Sequence, residues 1–130
     1  MSNEAMMQHG VFSWNELTTG DLEGAKAFYG ALLGWAFQEV QVGDMTYTII
    51  KMADKEVGGM MATSPEAECM PPMWGAYVTV DDVDARVAQV EELGGKVCVP
   101  PQDIPDMGRF AVINDPQGAM LGLITYLAKA

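Results

Sequence analysis

Basic side chains are scarce in this sequence. Seven Lys and Arg stand against 18 Asp and Glu, for a formal charge of −11. The excess is shared, with three basic and eight acidic residues in 1–65 and four and ten in 66–130. No acidic tail accounts for it, so the folded surface is negative and repels phosphate backbones and anionic lipid heads. Nucleic acid and membrane surfaces are therefore excluded as general partners. There is one histidine, His9, and there are only two cysteines, Cys69 and Cys98, which form no CxxC motif. That is too few for a disulfide scaffold. Cys98 reads as a buried filler in an apolar run and Cys69 as a thiol in a Pro-flanked stretch, with no bond expected between them in a reducing compartment. No apolar run approaches the ~20 residues of a membrane helix. The first ten residues lack the basic and apolar regions of a secretory signal. These absences point to a soluble, cytoplasmic chain.

What is present suits one globular domain. The chain has 130 residues, 49% hydrophobic and 19% charged. An internal repeat organises it. Shifted by 60 residues, Trp14 falls on Trp74, Asp21 on Asp81, Ala25 on Ala85, Leu33 on Leu93, Gly34 on Gly94, Gly58 on Gly118 and Met60 on Met120. Each half reads as strand, helix and three strands. In the first, Val11 to Thr18 has strand character and Asp21 offers a helix cap. Leu22, Ala25, Phe28, Tyr29, Leu32 and Leu33 follow at helical spacing, and Gly34 is a natural stop. Strands are expected at 35–42, 46–52 and 57–63. In the second, a strand at 75–80 precedes a helix capped by Asp81 or Asp82 with Val83, Val87, Val90 and Leu93 on its apolar face. Strands at 96–99, 109–113 and 119–126 complete it. The units are thus about 9–63 and 74–127, joined by a Pro-rich linker at 64–73.

A duplicated βαβββ unit of this size resembles the vicinal oxygen chelate superfamily of glyoxalase I, bleomycin-resistance proteins and extradiol dioxygenases. The residues that carry the likeness are Thr19-Gly20-Asp21-Leu22, Ala27-Phe28-Tyr29 and Leu33-Gly34-Trp35. In the second half they are Val80-Asp81-Asp82-Val83-Asp84, Gly94-Gly95-Lys96 and Asp115-Pro116-Gln117-Gly118. The resemblance implies an α+β fold, eight strands curled into one sheet around a cleft with helices outside. It also implies a divalent metal held by four His or Glu side chains on the first and last strands of each unit. Those positions correspond here to Trp14, Ala62, Gly75 and Gly122, none of which ligates through its side chain. His9 precedes the first strand and reads as solvated. The expectation is the fold without its metal, and no other cofactor.

Alternation then selects what faces the cleft. Trp14, Glu16 and Thr18 share one face, matched by Gly75, Tyr77 and Thr79 in the second unit. The last strands add Met60 and Ala62, then Met120, Gly122 and Ile124. The candidate ligand-binding residues are Trp14, Glu16, Tyr47, Met60, Trp74, Tyr77, Arg109 and Met120, with Glu16 also the candidate catalytic base. Each has a plainer reading. Trp14 and Trp74 could fill the core, and Glu16 could be partnered by Arg109 or reach solvent. Arg109 could tie down the Pro-rich loop or pair with an acid. Most of the 11 methionines read as gap-fillers. Asp81-Asp82-x-Asp84 reads as helix N-terminal charge, and Gly58-Gly59 precedes a strand, so it is no phosphate loop.

Aromatic walls, flexible methionines, small residues and one carboxylate describe a pocket for a small, mostly apolar or aromatic molecule. Metal-free binding in such a pocket is the leading expectation. The alternative is an enzyme of the superfamily, either a metal-free isomerase or hydrolase using Glu16 or a divergent metal-dependent lyase or dioxygenase. The third possibility is a structural protein with a filled cleft. A ten-residue linker leaves the two units free to pair within one chain or between chains, and a twofold homodimer is expected.

Overall fold

The structure, a computed structural model, describes residues 8–42, 45–63, 71–104 and 107–127. Ten elements run in the order β1 (Phe12–Thr19), α1 (Leu22–Leu33), β2 (Ala36–Val42), β3 (Met45–Met52), β4 (Lys55–Ala62), β5 (Met73–Thr79), α2 (Val83–Val90), β6 (Lys96–Ile104), β7 (Gly108–Asn114) and β8 (Met120–Tyr126). The fold class is α+β and the βαβββ order occurs twice. Two units emerge, Trp14–Trp74 and Gly75 onward together with the residues before Trp14. The linker expected at 64–73 lies largely outside the described residues, and Met73 already begins β5. No helix among the described residues is long and apolar enough to cross a membrane.

In the Trp14 unit the strand order is β2-β3-β4-β1, antiparallel except where β4 returns parallel to β1. The crossover is α1. Asp21 caps it by accepting from the Gly24 amide at 2.9 Å. Gly34 ends it at φ 75°, a left-handed position where a side chain would be strained. Below the helix, Leu17, Ile50 and Met60 form a buried cluster against which Leu22, Ala25, Tyr29, Trp35 and Phe37 pack. The helical spacing foretold α1 well, but no residue of it is buried. Phe28, Leu32 and Leu33 point outward.

The Gly75 unit repeats the plan as β5-β8-β7-β6, with β8 parallel to β5. Asp82, not Asp81, caps α2 by accepting from the Ala85 amide at 3.2 Å. Val83 is buried with Val80, Ala111 and Leu123. The Thr125 hydroxyl accepts from the Val83 amide at 3.1 Å and donates to the Val80 carbonyl at 2.9 Å, fixing the helix entry to β8. Strand β6 runs past its expected end through Pro100 and Pro101 to Ile104. It does so as the outer strand of its unit, with one register shift between Val97 and Val99 and another across the prolines, where a missing amide donor is tolerated. Cys98 corrects another expectation. It is disulfide-bonded, not a free thiol, while Cys69 lies outside the described residues.

Candidate functional site

Register decides which side chains share a face. In the Trp14 unit Leu17 is opposite Met60, and Met60 opposite Thr48, on the face that carries α1. Glu16 is opposite Gly59, and Gly59 opposite Ile49, on the other face. Two residues along each strand, Trp14 and Tyr47 join Glu16 there. The three are linked. The Trp14 indole Nε1 donates to the Tyr47 hydroxyl at 2.8 Å, and that hydroxyl donates to Glu16 Oε2 at 2.8 Å. The chain has one sense, because an indole N–H only donates. Tyr47 receives from Trp14 and passes its own proton toward Glu16, so Oε2 is held as an acceptor. Glu16 is only 8% exposed, and a buried carboxylate needs such partners. Gly59 makes room for the arrangement. A Cβ there would collide with the Tyr47 hydroxyl.

This site can accept a hydrogen bond from a ligand hydroxyl or amine, or take up a proton, beside a half-buried indole. It does not fit a divalent metal. Among the described residues no three His, Cys, Asp or Glu side chains come together as a ligand set. Ala62, matched to a ligand position by the resemblance, lies opposite Thr19 on the α1 face and not with Trp14.

The corresponding face of the Gly75 unit is centred on Tyr77. Tyr77 lies over Gly122, where a Cβ would meet its ring, and its centroid is 6.3 Å from that of Phe110. Met120 and Ile124 share the face through alternation about Gly122, and Thr79 lies opposite Ile124.

Trp14, Glu16 and Tyr47 are thus brought together in one unit, and Tyr77 and Met120 share a face in the other. Three candidates fall elsewhere. Met60 is fully buried in the cluster beneath α1, because its register partner is Leu17 and not Glu16. Trp74 also lies on the α1 side, donating from Nε1 to the Tyr29 hydroxyl at 3.0 Å and meeting Tyr29 and Trp35 edge-on. Arg109 alternates with Ala111 toward α2, and its fork is filled. Nε and Nη2 reach the two Asp84 oxygens at 2.7 and 3.1 Å, and Nη1 reaches Asp103 at 2.9 Å. These bonds raise the guanidinium's pKa, Asp84 foremost, and the Asp84 carboxyl is correspondingly lowered by Arg109. Arg109 thus pairs with two acids, Asp84 of α2 and Asp103 of β6. His9 accepts from the Asp81 amide at 3.0 Å, at the approach to α2.

Sequence reasoning missed Gly59 and Phe110. A glycine inside a strand signals close approach of another group, which Gly58-Gly59 offered. Phe110 had only its alternation with Val112.

Two βαβββ units, each closed by a last strand parallel to its first, define a class of module used for small-molecule sites. The sequence profile of the Glyoxalase/Bleomycin resistance protein/Dioxygenase superfamily matches residues 10–123. The chain belongs to this superfamily. It is 40% identical over 116 residues to the protein of Mycobacterium bovis named "Putative glyoxylase CFP32", covering 88% of this chain and 44% of that one. It is 31% identical over 123 residues to the anthracycline biosynthesis protein DnrV of Streptomyces peucetius, covering 85% and 45%. The chain therefore spans less than half the length of these relatives. Among solved structures, methylmalonyl-CoA epimerase from Mycobacterium tuberculosis shares the fold, with a TM-score of 0.58 at 16% identity over 95% of this chain and 94% of that one.

Proposed function

We propose that the chain binds a small, largely apolar or aromatic molecule on the Trp14 face of its first unit, with Glu16 as the polar anchor and no divalent metal. The observation that carries this reading is the Trp14–Tyr47–Glu16 chain, which fixes a buried carboxylate as an acceptor beside an indole. Such a pairing selects a ligand with a planar apolar body and a donating hydroxyl or amine, and disfavours carboxylates. The name of the relatives from anthracycline biosynthesis supports a polycyclic aromatic with phenolic hydroxyls as the ligand class. Thermal shift and tryptophan emission with hydroxylated anthraquinones, in EDTA, test it. We expect a raised melting temperature and quenched emission, and affinity weakened about tenfold or more by Glu16→Gln, since a charged acceptor becomes a neutral amide. Binding that appears only after a divalent metal is added contradicts it. A second reading, metal-free proton transfer with Glu16 as base, draws on the same oriented carboxylate. It predicts that Glu16→Gln abolishes turnover of a bound compound while binding survives.

A further inference from the structure

The face of the Trp14 unit that carries α1 lies across the sheet from Glu16, and it holds its own cluster of aromatic rings. Phe28, Tyr29 and Trp74, together with Asp21, border a groove of about 410 Å³, within the roughly 300–1,000 Å³ of small-molecule sites. The rings are held in place. The Trp74 indole Nε1 donates to the Tyr29 hydroxyl at 3.0 Å. Tyr29 stacks on Trp35 with centroids 5.6 Å apart, and Phe28 meets Tyr29 edge-on at 5.0 Å. With its one N–H spent on Tyr29, the indole offers the groove ring surface only. Phe28 and Trp74 are 59% and 38% exposed, so a solute can reach both.

Asp21 gives the groove its charge. Its Oδ1 caps α1 through the Gly24 amide at 2.9 Å, and the residue stays exposed. The positive end of a helix carries only about half a charge. Against it stand three acids, Asp21, Glu23 and Glu39, and one base, Lys26, which Glu23 and Glu39 hold at 3.2 and 2.7 Å. The field at the groove is therefore negative, in keeping with a chain of net −11. Ring faces and negative field select the same ligand. A cation is drawn to an aromatic face within about 6 Å of the ring centroid. The Tyr29 and Trp74 centroids are 5.4 Å apart, so one cation can lie near both. A primary ammonium would compete with the Gly24 amide for Asp21, whereas a quaternary one has no N–H to donate and leaves the cap intact. A second groove bordered by Trp74, of about 510 Å³ between Trp35, Ile50, Met52 and Val57, has no charged side chain among its described lining residues. It lacks the second attraction.

We infer that this groove binds a small organic cation with a quaternary nitrogen, seated on Trp74, Tyr29 and Phe28 beside Asp21. The site is separate from the Trp14–Glu16 face, and its failure would leave the binding reading there untouched. Choline, titrated at constant ionic strength into ¹⁵N-labelled protein, tests it against neohexyl alcohol, the uncharged molecule of the same shape. Choline should move the Trp74 indole signal saturably and leave that of Trp14 in place. The alcohol should bind about tenfold or more weakly than choline. Asp21→Asn removes the charge but keeps a side chain that caps as well. It should weaken choline about threefold, by an amount that shrinks in added salt. Phe28→Leu, at an exposed position, should also weaken it about threefold. Glu92→Gln, at an exposed acid of the other unit, should leave it unchanged. An alcohol that binds as well as choline makes the groove merely apolar and overturns the inference. So does a choline titration that leaves the Trp74 signal still, or an affinity indifferent to Asp21→Asn and Phe28→Leu.

Discussion

The two helices are capped alike and serve different ends. Asp21 and Asp82 each accept from the amide three residues on, and each helix crosses over a sheet from its first strand. Helix α2 then buries Val83 and Val90, is fixed at its entry by Thr125, and is clamped by the Arg109–Asp84 pair. Helix α1 has no fully buried residue, packing Leu22, Ala25 and Tyr29 only part-buried on its cluster, and is held to its sheet's polar edge by Lys26–Glu39. It contains Gly24 and Gly30, each costing about 1 kcal/mol of helix stability relative to Ala. The same topology therefore lets one crossover complete a core while the other presents apolar surface. The opposite faces differ too. The Trp14 unit carries a buried carboxylate on its face, whereas the register of the Gly75 unit sets Tyr77, Phe110, Asn114 and Gln102 on the corresponding one.

The sharpest way to break this comparison is to truncate matched leucines. Leu123→Ala, in the cluster under α2, should cost about 2–5 kcal/mol in urea unfolding. Leu32→Ala on α1, at a residue 63% exposed, should stay within about 0.5 kcal/mol. Equal losses would erase the distinction between the helices. Next in size is Tyr47→Phe. It leaves Trp14 without its acceptor and takes one donor from Glu16, at a cost of about 1–3 kcal/mol. The smallest effect concerns the α2 clamp. The Asp84 carboxyl lies below its ordinary range because Arg109 bonds it, so the pairing favours the folded state above about pH 4. That contribution fades as pH falls through the lowered pKa. The melting-temperature difference between wild type and Asp84→Asn should thus be present at neutral pH, vanish in acid, and shrink in high salt, as an exposed pair requires.

Much of the fold was legible because a repeated pattern is read twice. The helix starts, the Gly34 stop and seven of the strands lay within about two residues of where spacing and turn residues put them, and β6 ran on to Ile104. Faces were harder, because a strand's period is two. The repeat aligns at an offset of 60 from Gly34 to Gly94, both at positive φ, but the two cap residues, Asp21 and Asp82, lie 61 apart. That single residue reverses the strand before each helix. Trp14 shares a face with Glu16, while Trp74 turns to the α1 side, and Met60 and Met120 part in the same way. Thr19 and Val80, also 61 apart, both precede their caps by two. Glu16 with Tyr47 was legible only as two separate candidates, since nothing in one strand announces its register with another 30 residues on.

The three tryptophans supply the most direct test of the central claim, that the polar chain of the Trp14 unit is where a ligand is read. Trp14 donates to Tyr47 on that face, while Trp35 and Trp74 meet on the α1 side. In a ¹⁵N–¹H spectrum each indole N–H gives its own signal, assigned by Trp→Phe substitution. Titrating a hydroxylated anthraquinone in EDTA at fixed protein concentration should move the Trp14 signal and leave Trp35 and Trp74 in place. A titration that shifts Trp35 or Trp74 while Trp14 stays still contradicts the account.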